Sequence, residues 1–267
     1  MKKYKSFLRI RFINGLQYRA AAYAGVATQF AWGFMELLMF RAFYKADPSA
    51  FPMEFSQLSS YIWLQQAFLA LFMTWFFEND IFEAIARGNV AYELVRPMNL
   101  YNMWFVKNVA SRLSRAALRC MPILLVAFHL PRPYNISLPD SPASFLAFLV
   151  SMALGTFVVV AFCMLVYITT FYTLSPLGVK IISISLVDFL SGSLIPLPFL
   201  PDGIRSVVEL LPFASIQNVP LRIYSGNIAG SDAGLGIALQ AFWLIALVAL
   251  GRLAMTRALK KVVVQGG

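Results

Sequence analysis

Arg112, Arg115 and Arg119 fall at i, i+3 and i+7, which sets three guanidinium groups on one helical face together with Asn108. In an apolar stretch such a face either snorkels to lipid phosphate or lines a wet path for an anionic substrate. Acids are scarcer. Glu36 and Asp188 each interrupt an otherwise apolar run, where a carboxyl is costly and marks an ion or proton site or a hydrogen bond between helices. Glu36 has Arg41 five residues on, whereas Asp188 lies deeper in its run. Enzyme chemistry lacks its parts. His129 is the only histidine and adjoins Leu130 and Pro131. The chain has no G-x-S-x-G elbow, no H-E-x-x-H pair and no G-x-x-x-x-G-K-[ST] phosphate loop. The expectation is therefore no catalytic residue, no metal site and no cofactor on this chain. Cys120 and Cys163 sit in apolar runs and read as small buried hydrophobes, not as a disulfide.

The elements that must position these groups follow from composition. The chain has 267 residues, 60% apolar and 13% charged, with a mean hydropathy of +0.70. Soluble domains run roughly 45–50% apolar and about 25% charged, so a water-soluble domain is excluded. The 24 Phe, 11 Tyr and 5 Trp exclude disorder. An all-α integral membrane protein forming a single domain over 1–267 is expected.

A helix needs about 20 apolar residues to cross the hydrocarbon core. Six spans satisfy this, over about 20–43, 55–77, 107–130, 142–172, 179–200 and 232–255. The third is the awkward one. Only the 11 residues Cys120–Leu130 lack Asp, Glu, Lys and Arg, so that helix must recruit the arginine-bearing segment before them. With the N-terminus inside, 17 Lys and Arg fall on the cytoplasmic side and 5 outside, a positive-inside pattern. Both termini are then cytoplasmic. The net charge of +10 serves topology and anionic lipid headgroups, with no nucleic acid partner needed.

Between the spans, residues 1–19 alternate cations with large apolar residues and read as an interfacial helix. After the second span, Asp80 and Glu83 suggest a capping box, and Ile81, Phe82 and Ile85 form an apolar face ending near Gly88. A loop this small cannot bury that face, so it awaits a partner groove or lies on the membrane. The fifth span runs into Ser191, Gly192, Pro196 and Pro198, which cannot continue an ordinary helix. Residues 201–226 are apolar but too interrupted to span, and read as one or two short re-entrant helices.

These pieces resemble the permease subunits of type-2 ATP-binding-cassette (ABC) transporters, in the bacterial branch often encoded as paired permeases. The resemblance rests on "ELVRPMNLYNMWF" after the cytoplasmic helix, "FLSGSLIPLPFLP" at the end of span five and "LLPFASIQNVPLRIYSGN" after it. It implies an exporter half-unit in a bacterial inner membrane, working with a second permease copy, the same chain or a paralogue. Two separate ATPase subunits would hold ATP and Mg. It further implies a coupling helix over 80–87 that docks on the ATPase. Ile81, Phe82 and Ile85 would be its apolar anchors, with Glu78, Asp80, Glu83 and Arg87 on the rim. Ser191, Gly192, Pro196 and Pro198 would belong to an outer gate. Arg112, Arg115, Arg119 and Asp188 remain candidates for the substrate path on their own chemistry. An ion- or proton-coupled secondary transporter using Glu36 and Asp188 is the alternative.

Overall fold

The computed structural model describes residues 2–17, 19–173 and 175–260. All regular structure among them is helical, in the order α1 (Lys2–Gly15), α2 (Arg19–Ala46), α3 (Phe55–Phe72), α4 (Asn79–Ala86), α5 (Val90–Leu94), α6 (Leu100–His129), α7 (Pro142–Thr169), α8 (Leu177–Leu190), α9 (Asp202–Glu209), α10 (Asn218–Tyr224) and α11 (Gly230–Leu259). Short 3-10 turns cover Pro48–Ala50 and Leu197–Phe199. By length and apolarity alone, α7 and α11 each suffice to cross a membrane.

The sequence explains most boundaries. Asn99 caps α6 through its side chain, which accepts from the Asn102 N–H, and Ser141 caps α7 in the same way. α6 runs unbroken for 30 residues, so the arginines and the apolar 120–129 stretch share one helix of roughly 45 Å. Two expectations change. The helix in 55–77 stops at Phe72 after a kink at Phe68. α8 stops at Leu190, ten residues before the expected 200, because Gly192 turns the chain with φ +81° and prolines follow. α1 lies lengthwise along the first half of α6: Asn99 donates its N–H to Tyr4 Oη at 3.1 Å near one end, and Gly15 meets Ser114 near the other.

The main core cluster is drawn from all the long helices, and a small second one of Leu197, Val208 and Ala214 lies in the segment after α8. α7 and α11 pack together, bridged by Gln240, which accepts from Ser151 Oγ at 2.8 Å and donates to the Ser151 and Ser215 carbonyls at 3.1 and 2.8 Å. The outer segment is drawn inward at this point. Gly155 of α7 lies so close to the Ile216 carbonyl that a Cβ there would stand 2.1 Å from the oxygen. α9 and α10 are tied by an ion pair between Arg222 and Glu209 at 2.5 Å. Both cysteines are free.

Gly155→Ala therefore forces backbone apart at a buried contact and should cost about 1–3 kcal/mol. Gly178, with open space around its Cβ position, should accept Ala without loss. Thermal unfolding of the two variants in detergent checks this, and equal melting temperatures would contradict the contact.

Candidate functional site

α6 delivers Arg112 to the broken end of α3. The residue is 0% exposed. Its Nη1 donates to the Leu71 and Met73 carbonyls at 3.0 and 2.8 Å and reaches that of Ala70 at 3.5 Å, while Nη2 faces Cys163 Sγ at 3.4 Å. A helix end leaves carbonyls without partners, and apolar surroundings offer no water to take them. The guanidinium supplies those donors. Arg115, one turn on, pairs with Glu78 at 3.6 Å. Arg119 packs against Gly25 of α2. Phe76 lies beside both, 5.1 Å from the Arg115 guanidinium and 5.7 Å from that of Arg119. The three arginines share a face as read, yet Arg112 is enclosed and only Arg115 and Arg119 reach a cavity.

α4 begins at Asn79, with Glu78 as its N-cap residue and no side-chain cap. Asp80 forms no capping box; it ion-pairs with Lys107 of α6. The Glu78 N–H donates to Tyr167 Oη at 2.8 Å, and Tyr167 in turn donates to Asn108 Oδ1 at 3.3 Å. Lys180 of α8 donates to Asn79 Oδ1 at 3.0 Å and stands over the Phe77 and Phe82 rings. Ile81 and Phe82 were expected to face a partner. The structure corrects this: they are 1% and 4% exposed, with Phe82 against Phe77 and Tyr167. The chain's own α7 and α8 region covers the apolar face. Asn79, Asp80, Glu83, Ala86 and Arg87 are exposed and Ile85 is half-buried.

Two cavities meet at Phe76 and Arg119. One, of about 500 Å³, lies beneath α1 and is lined by Arg11, Glu78, Lys107 and Arg115. The other is a cleft of about 580 Å³ between α2, α3, α6 and α8. Into it face Gln29, Glu36, Gln65, Gln66 and Asp188. Gln66 donates to Glu36 Oε2 at 3.4 Å, so Glu36 is held from α3, and Arg41 turns away onto the Tyr134 ring. Gln29 is 4% exposed, and neither of its amide atoms has a partner. Glu36 Oε1, Gln65 Oε1 and Asp188 Oδ1 are likewise buried and unpartnered. Sequence reading missed Gln29, Gln65 and Gln66; the available signal was three amides inside uncharged apolar runs.

A family model described as "ABC-2 family transporter protein" matches residues 30–266. The chain belongs to the ABC-2 transporter family. No curated protein matches it. ABC-2 permeases are membrane components without catalysis of their own, and the family implies an ABC ATPase partner. Membership sets aside the ion-coupled alternative for Glu36 and Asp188. Among the described residues, no group of His, Cys, Asp and Glu is placed to hold a metal ion.

At the other end of the permease cleft, the residues after α8 are fastened to α3. Tyr61 donates to the Gly192 carbonyl at 3.1 Å, and Gln65, one turn on, donates to that of Ser193 at 2.8 Å. A Cβ on Gly192 would meet Tyr61 Oη at 2.8 Å. Ser191 and Pro198 are buried here, while Pro196 precedes the 3-10 turn. All four residues expected at an outer gate thus lie in one irregular stretch.

Arg112→Met should leave carbonyls uncapped and cost about 3 kcal/mol or more, whereas Arg119→Gln should leave the fold intact. Arg112→Lys should restore little, since an ammonium lacks the planar fork. Folded yield by size-exclusion chromatography reads all three; an Arg112→Met chain as stable as wild type would remove the capping role.

Proposed function

We propose that the chain is the permease subunit of an ABC exporter, crossing a bacterial inner membrane six times with both termini in the cytoplasm. Two copies, or this chain and a paralogue, form the path. Two separate ATPases bearing ATP and Mg dock beneath. One observation carries the reading. α4 is a short helix locked on its inner side to α6, α7 and α8 through Asp80–Lys107, Glu78–Tyr167 and Asn79–Lys180, while its outer side is open. A push on it is delivered to three long helices at once.

The docking surface is then the polar side, with Glu83, Ala86 and Arg87 around half-buried Ile85. Glu78 is the transmitting residue: it stands at the N-cap position of α4 and pairs with Arg115, whose guanidinium sits on Phe76 between the two cavities. Displacement of α4 moves Phe76, the inner gate, between two discrete packings. The stretch Ser191–Pro198 closes the outer side. The half-open cleft, with Trp32, Met35 and Met39 exposed along α2, becomes a closed path when a second copy faces it.

Pull-down of the tagged chain from its own membranes tests this. Wild type should bring down an ATPase with a Walker motif. Glu83→Arg combined with Ile85→Asp should weaken that capture by about tenfold or more, roughly 1.4 kcal/mol, with the chain still folded. Undiminished capture would displace the docking surface from α4.

A further inference from the structure

We propose that the cleft between α2, α3, α6 and α8 binds amphiphilic organic cations, with the positive centre held between Glu36 and Asp188. The inference deepens the permease reading and rests on it.

Charge is the first ground. Glu36 and Asp188 both face the cleft, and neither takes part in an ion pair among the described residues. Each keeps a buried oxygen without a partner. The second ground is the balance of acceptors and donors. Gln29 Oε1, Glu36 Oε1, Gln65 Oε1 and Asp188 Oδ1 are unmet acceptors, against Gln29 Nε2 and Arg119 Nε as unmet donors. Buried groups of this kind call for a ligand, and this surplus calls for one that is positive or rich in N–H. Gln29 and Gln65, at 4% and 3% exposed, are enclosed side chains aimed into the site.

Backbone supplies a third ground. α8 ends at Leu190, half a turn beyond Asp188, so the negative end of its dipole adds to the carboxylate. Arg119 stands at the far end of the cleft, beside Gly25; eleven residues of α2 separate Gly25 from Glu36, roughly 16 Å of helix. A cation is repelled from the inner end and drawn to the acids. The other two arginines of the α6 face are already committed, Arg112 to carbonyls and Arg115 to Glu78, which leaves an anion little to bind.

The walls select an amphiphile. Trp32 and Trp75 line the cleft with aromatic rings that favour a cation, and Met35, Met39 and Met73 adapt to irregular apolar groups. The volume of about 580 Å³ suits a molecule of drug size.

Tetraphenylphosphonium and tetraphenylborate have one shape and opposite charge, so the pair isolates the charge preference. The full chain in nanodiscs is dialysed to equilibrium against each labelled probe, with empty discs as background. Wild type should bind tetraphenylphosphonium saturably and tetraphenylborate not at all above background. Glu36→Gln and Asp188→Asn should each weaken phosphonium binding by about tenfold. Arg119→Gln, which removes the repelling charge from the inner end, should tighten it, and all variants should keep the wild-type melting temperature.

Saturable borate binding, or phosphonium binding untouched in the double Glu36→Gln, Asp188→Asn variant, overturns the proposal. So does a double variant that shows no binding change but loses its dimer, which would assign the acids to the second copy. ATPase capture on the same preparation separates the two levels. A chain that captures its ATPase yet binds no phosphonium refutes the ligand class alone, and one that binds phosphonium without an ATPase refutes the permease reading.

Discussion

The guanidinium of Arg112, enclosed at the end of α3, is the constraint on which the site depends. A helix cannot stop inside an apolar medium unless its last carbonyls find donors. Arg112 provides them from α6, and this frees Met73–Phe77 to run as irregular chain between the cavities. Phe76 can then sit between Arg115 and Arg119, and Glu78 can start α4 in a new direction. The break after α8 is closed in a complementary way, by Tyr61 and Gln65 reaching from α3 to the carbonyls of Gly192 and Ser193. Each interruption is thus satisfied by side chains of a neighbouring helix. In the cleft, by contrast, Gln29, Glu36, Gln65 and Asp188 each keep a buried polar atom without a partner, and their convergence on one cavity marks it as a place for something else.

The packing divides the molecule into a firm part and a looser one. α7, α10 and α11 are joined by the Gln240 bridge and by the backbone approach at Gly155, contacts that tolerate almost no sliding. Among the described residues, α2 is joined to α3 by one long side-chain hydrogen bond, from Gln66 to Glu36 at 3.4 Å, and by Phe30 and Phe34 against Trp63, and it exposes Trp32, Phe34, Met35 and Leu38. The cleft lies on the α2 side, between α2, α3, α6 and α8. Loosely held walls and unmet polar groups fall together, which suits a site that must change shape.

Much of this was legible in the sequence. Uncharged length alone predicts α7 and α11. The continuity of α6 followed from the shortness of its apolar half. The family followed from degenerate words in a fixed order. What stayed hidden had its cause elsewhere in the chain. Nothing in residues 55–77 announces a stop at Phe72, because the donor that closes it lies about forty positions later. Amphipathic spacing showed that Ile81 and Phe82 share an apolar face but not what covers it; Tyr167 and Lys180 do, from two other helices. Gln29, Gln65 and Gln66 carry no charge and so vanish into apolar runs, although their convergence defines the cleft.

The buried arginine also bears on how the chain is made. α6 is too charged to enter lipid on its own merits, with Lys107, Arg112, Arg115 and Arg119 within two-thirds of its length. Synthesis runs from the N-terminus, so α3 and α4 exist before α6 leaves the ribosome. The open carbonyls of α3 and the carboxylates of Glu78 and Asp80 are waiting when the cations arrive. In the six-span topology proposed above, α6 would enter as the second arm of a hairpin whose first arm already holds its counter-groups, and the order of helices along the chain would act as an assembly instruction.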